Sequence, residues 1–142
     1  MEEVLIPQGY IDLGRLMQDF VEEHSLNRSS VLMKQSFLET IVNGPIGSRL
    51  FQVGFERGLL VFDLFESIID SPSQIRSSSG RSLLLIRHYG SFLVSPEVYV
   101  KESDYAMRIE PVTVNGIDFW EFVDIDLHYN LKRNDPVLWT RE

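Results

Sequence analysis

The chain has 142 residues, enough for one domain, and 44% of them are hydrophobic and 11% aromatic, which is ample for one buried core. Its formal charge of −8 argues against a surface that coats nucleic acid, because neutralising phosphates needs clustered Lys and Arg, and points to proteins as partners. It has no cysteine, which excludes disulfides and thiolate metal sites.

The first residues, Met1 to Val4, carry neither a basic leader region nor a long apolar run, so synthesis in the cytoplasm is expected. No apolar stretch approaches the ~20 residues of a bilayer span, and Leu83 to Ile86 is cut short by Arg87 and His88, so no membrane insertion is expected. From Asp12 to His24, the residues Leu13, Leu16, Met17, Phe20 and Val21 recur at helical spacing with Glu22 and Glu23 opposite, which predicts an amphipathic helix. A second helix is predicted from Asn27 or Ser29, carrying Leu32, Phe37, Leu38 and Ile41 inward and stopping at Asn43-Gly44-Pro45. The stretch Gly47 to Leu59, rich in phenylalanine and glycine, reads as a tightly folded docking loop. Leu59 to Ile69 reads as a short helix closed by Ser71-Pro72-Ser73, and the serine run Ser77 to Gly80 as a mobile surface loop. Arg81 to Tyr89 is predicted to be a further helix, ending at Gly90.

Beyond Phe92 the period becomes two. Asn115-Gly116 readily takes the positive φ angles of a type I′ turn, which predicts a hairpin between Met107–Val114 and Phe119–Leu131. In the longer arm Val123, Ile125, Leu127, Tyr129 and Leu131 alternate with Asp124, Asp126, His128 and Asn130, giving one buried face and one polar face. Pro111 cannot donate a ladder hydrogen bond, which places its arm at a sheet edge or a bulge. The predicted class is therefore α+β in one domain over residues 1–142, with N-terminal helices (1–90) packed on a small, mainly antiparallel C-terminal sheet (92–131) and a tail from 132 to 142. In that tail, Trp139 suits either a partner surface or a strap across the chain's own core.

Residues that suggest chemistry have plainer explanations. Asp124, Asp126 and His128 share a strand face, but neighbours there are ~6.6 Å apart, so a solvated polar face is the reading and no metal is expected. Glu22 with Glu23, or Asp63 with Glu66, could pair as hydrolytic carboxylates, but no apolar pocket surrounds a particular Glu to raise its pKa. His24 and His88 sit near predicted helix C-termini, where the helix dipole favours an imidazolium. Gly44, Gly47, Gly54 and Gly58 make neither phosphate-loop pattern, so no nucleotide cofactor is expected. Phe62 and Phe65, three apart, share a helical face and are expected inside.

Four motifs point further. Lys34 to Phe37 has the form basic-x-Ser-hydrophobic, Gly47 to Phe51 reads Gly-Ser-Arg-Leu-Phe, Phe55 to Leu59 reads Phe-x-x-Gly-Leu, and Leu64 to Glu66 reads Leu-Phe-Glu. With Arg87-His88-Tyr89, the strand-like Val98 to Val100 and the segment Val123 to Tyr129, this pattern resembles the gene-25-like baseplate wedge and sheath-initiator family of contractile-tailed phages and type VI secretion baseplates, over most of residues 27–131. Gly90-Ser91-Phe92 stands where that family carries Glu-Pro-Arg, and Val53-Gly54 where it carries Pro-Glu. The resemblance implies a non-enzymatic wedge subunit, assembled in the host cytoplasm into a sixfold tail baseplate beside other wedge proteins, that starts sheath polymerisation by accepting a strand from the sheath protein. It makes Arg49, Phe55, Arg57, Tyr89, Ser91 and Phe92 candidates for wedge contacts, and Met107, Ile109, Val112, Val114, Val123, Ile125 and Leu127 candidates for the strands that pair with sheath. The alternative drawn from charge is a small acidic module of the immunity or inhibitor kind, which would block a basic face of one soluble protein.

Overall fold

The computed structural model describes residues 5–57 and 60–141. Gly58 and Leu59, and the side chains of Val53, Phe55, Glu56, Arg57, Phe92 and Val94, lie outside the described residues. Strand outweighs helix, 41% against 26%, so the expected helical half on a small antiparallel sheet is overturned: the architecture is a seven-stranded mixed sheet with short helices between its strands.

The correction begins at the N-terminus. Where one helix over Asp12–His24 is predicted, the chain forms strand β1 (Tyr10–Arg15) and only then a six-residue helix α1 (Gln18–Glu23). Gly14 accounts for the change, since its φ of +131° belongs to neither helix nor regular strand and it sits where the pairing register slips. The second predicted helix also splits, into strand β2 (Ser30–Lys34) and helix α2 (Gln35–Asn43). Val31, Leu32 and Met33 are all fully buried, the pattern of a strand covered on both faces and not of an amphipathic helix. Helix α2 does stop at Asn43, as Asn43-Gly44-Pro45 implies.

The predicted docking loop is helix α3 (Pro45–Arg57). Pro45 opens it at the position where a missing N–H costs nothing. Gly47 serves close approach: a Cβ there would lie 2.1 Å from the Ile41 carbonyl oxygen at the end of α2. Helix α4 (Val61–Asp70) follows close to its expected place, burying Leu64, Phe65, Ile68 and Ile69. Next come β3 (Gln74–Ser77) and β4 (Leu83–Tyr89), the latter replacing the predicted helix over Arg81–Tyr89. Leu83 and Leu85 face the main core while Leu84 and Ile86 face a second, smaller cluster with Ala106 and Tyr129, so an unbroken leucine run is a central strand buried on both sides.

A separate two-stranded hairpin, β5 (Phe92–Ser95) with β6 (Val98–Val100), precedes the long hairpin β7 (Ser103–Val114) and β8 (Ile117–Asp126). Asn115 (φ +50°) and Gly116 (φ +76°) make its turn in the predicted manner. The chain closes with β9 (Val137–Thr140) on β3, so the tail is a strap whose Leu138 and Trp139 pack on the core.

Sheet order is β1-β2-β8-β7-β4-β3-β9, with every pair antiparallel except β2 with β8. The helices cover one face. Phe65 and Phe37 meet Phe122 edge to face at 5.0 and 5.3 Å, and each such pair adds about 0.5–1.5 kcal/mol to the burial itself.

Candidate interaction surfaces

Strand order decides which backbone edges are open. The outer sides of β1 and β9 bound the sheet, so a visiting strand can lengthen it at either. Edge β1 is blunted by its Gly14 bulge, and Arg15 reaches back to Asp12 at 2.6 Å and to the Gly14 carbonyl at 2.7 Å. Edge β9 carries the half-exposed Val137.

The seven residues nominated for sheath pairing lie mostly away from these edges. Met107 and Ile109 are fully buried in β7, between β4 and β8. Ile125 and Leu127 are buried under the helices. Val123 is half-buried at a bulge, since Arg108 pairs with Asp124 and Ile109 with Phe122, and this breaks the expected alternation before Ile125. Val112 and Val114 are half-buried on the part of β7 that overhangs β4, whose ladder ends at Leu83 opposite Ile109. Pro111 lies on that overhang, a local edge that tolerates the missing donor. Arg28 clamps the overhang, donating to the Val112 carbonyl at 2.8 Å.

The wedge-contact candidates scatter. Arg49 is exposed on α3 and donates to His128 Nε2. Tyr89 is a packing residue, stacked on Tyr105 at 4.9 Å with its hydroxyl 2.5 Å from Ser67 Oγ. Ser91 is exposed just before the β5–β6 hairpin. The side chains of Phe55, Arg57 and Phe92 lie outside the described residues, although Phe55 and Arg57 fall within α3 and Phe92 opens β5.

Other suggestive groups have local duties. Asp126 accepts from the His128 N–H at 2.8 Å, and Asp124 from the Ile125 N–H at 2.9 Å. Among the described residues, no three His, Cys, Asp or Glu side chains are grouped to hold a metal ion. His88 is on a strand and not at a helix end; its Nδ1 lies 3.0 Å from Asp104 and its Nε2 3.5 Å from Glu102. His24 does occupy the C-terminal cap of α1, with its ring against Phe20 at 4.4 Å. Asp63 and Glu66 line an open cleft of about 610 Å³ with Asp12, Arg15 and Asp70.

Three features escape a reading by motif. Arg76, only 4% exposed, crosses the helix-free face of the sheet and donates to the Leu131 carbonyl (3.0 Å), the Arg133 carbonyl (3.1 Å), Tyr129 (3.3 Å) and Gln74 (2.9 Å). Tyr129 in turn donates to Asp135 at 2.6 Å; burial first, and then this bond, push its phenol above the ordinary tyrosine value, with Arg76 pulling the other way. The small hairpin shows apolar side chains to solvent, Leu93 at 67% and Tyr99 at 58% exposure. An apolar trough of about 520 Å³ also runs between α2, α3 and the start of α4. Compared with protein-family models, curated proteins and solved structures, the chain matches none of them.

Proposed function

We propose that this chain is a non-catalytic subunit of a contractile-tail baseplate, of the wedge and sheath-initiator kind that its motifs resemble, and that it joins the assembly by adding a foreign strand to its sheet. The observation that carries this reading is that β9 ends the sheet, with no further strand on its outer side among the described residues. Unpaired N–H and C=O groups there give a visiting arm backbone hydrogen bonds, and alternate side chains give it specificity. The pairing site proposed is thus β9, because Met107, Ile109, Ile125 and Leu127 serve the core. Its partners in this reading are the sheath protein and neighbouring wedge proteins, in six copies around a tail assembled in a host cytoplasm.

The test is to express the chain with its genomic neighbours and image the particles by electron microscopy. Val137→Lys places a charge on the open strand at a half-exposed position, so the fold should survive while sheath attachment fails. Particles with normal sheath in that variant would overturn the β9 site. Recovery of one soluble, basic partner in a one-to-one complex, with no sixfold particle, would replace the wedge reading by the inhibitor one.

A further inference from the structure

Positive charge gathers at one pocket of an otherwise acidic chain. Helix α3, strand β6, the start of β7 and the turn after β8 enclose about 350 Å³, near the lower end of the range that holds a single small ligand. The lining carries Arg49, Lys101 and His128 against one carboxylate, Glu102, whereas the whole sequence has 13 Lys and Arg against 21 Asp and Glu. Glu102 already has a partner outside the lining, His88, whose Nε2 lies 3.5 Å from its carboxylate.

Arg49 has no such counter-charge. Among the described residues no carboxylate pairs with it, and its hydrogen bond goes to Nε2 of His128. Because a guanidinium only donates, that ring nitrogen is the acceptor, and the imidazole is the neutral tautomer protonated on Nδ1. Ser103 braces the other side of the ring, its Oγ donating to the Leu127 carbonyl at 2.6 Å and lying 3.5 Å from His128 Nδ1. Arg49 thus meets a neutral nitrogen with one N–H, and the rest of its fork suits an oxyanion. Lys101 adds a second full charge to the same lining. Two fixed positive charges, with an imidazole able to become a third, match the nearly double charge of a phosphate monoester better than the single charge of a carboxylate. Tyr99, exposed beside them, offers an aromatic surface to an apolar body.

We propose that this pocket binds a small phosphate monoester, with Arg49, Lys101 and His128 around the phosphate and Tyr99 against the body of the ligand. The site is independent of strand addition at β9.

Isothermal titration of the full-length chain near neutral pH tests this with phenyl phosphate, inorganic phosphate, benzoate and phenol. Phenyl phosphate should bind roughly threefold or more tightly than inorganic phosphate or benzoate, and phenol should not bind. Arg49→Gln and Lys101→Gln, both at exposed positions, should each weaken phenyl phosphate roughly tenfold with the thermal melt retained, while Arg81→Gln, at an exposed position outside the pocket, should change nothing. Absence of binding at ~10 mM phenyl phosphate, or an equal loss in Arg81→Gln and Arg49→Gln, would overturn the proposal, as would phenol binding as well as its phosphate. Vesicles of phosphatidic acid in phosphatidylcholine present the same headgroup on a surface. The chain should stay in the supernatant when they are sedimented, and recruitment that Arg49→Gln abolishes would overturn the assignment to a soluble ligand.

Discussion

Gly47 shows how much one missing atom matters. Its hydrogen faces the carbonyls of Ile41 and Val42, and a Cβ would stand 2.1 and 2.7 Å from them, against backbone that cannot yield without parting α2 from α3. Gly47→Ala should therefore destabilise the fold by about 1–3 kcal/mol in urea titration, although alanine is the better helix former. Arg76 illustrates the opposite case, a buried charge whose donors serve the Leu131 and Arg133 carbonyls and the Tyr129 hydroxyl. Arg76→Met keeps the bulk and strands those acceptors; about 1–3 kcal/mol should be lost, and the segment after Tyr129 should exchange its amide hydrogens faster. Tyr129 supplies a pH signature. Its phenol is raised above its ordinary value of 10.0, as is that of Tyr10, by burial first and then by the bond to Glu121. A raised acid favours the folded state while protonated, so that stability is complete below about pH 10 and drains away as pH climbs through the raised value. Melting temperature should fall as pH rises above about 10, and fall less in Tyr129→Phe, which has no phenol to ionise.

Among the elements, the β7–β8 hairpin was the most legible, because Asn115-Gly116 encodes its turn through backbone angles that other residues resist. Gly116→Ala puts a side chain at φ +76° and should cost about 1–2 kcal/mol in chemical denaturation. The end of α2 and the position of α4 were legible as well, from Asn43-Gly44-Pro45 and from the spacing of Leu64, Phe65 and Ile68. What sequence periodicity hid were the strands buried on both faces. Val31-Leu32-Met33 and Leu83 to Ile86 show no alternation, and a short apolar run fits a buried helix as well as a central strand. Leu13, Leu16, Met17 and Phe20 match a helical stripe by coincidence, since Leu13 belongs to a strand and the others to a two-residue link and a short helix. In α3 the glycines read as loop punctuation, whereas Gly47 is there for helix contact. Of the seven strand residues nominated for pairing, Met107, Ile109, Ile125 and Leu127 lie in the core, because alternation reveals that a residue is buried but not whether its strand has a neighbour on each side.

Across the whole molecule, charge and apolar surface are unevenly shared. The helical layer concentrates carboxylates and also holds the exposed trough, which no single periodic segment announces, since its rim is gathered from three helices. A layer repelling itself in this way should be steadied by salt: the melting temperature should rise modestly from ~0.01 to ~0.15 M NaCl, and a fall would show that paired charges outweigh the repulsion. The seam between β2 and β8 has an effect on how the molecule comes into being. Val31 lies beside Trp120 and Leu32 beside Glu121, so the first two strands have their sheet neighbour almost ninety positions downstream. On a ribosome the β1–β2 pair stays without its berth until the long hairpin has emerged, with Val31, Leu32 and Met33 lacking that neighbour in the meantime. Newly made chains should accordingly lean on chaperones during synthesis, and refolding from denaturant should run slowly for a protein of this size.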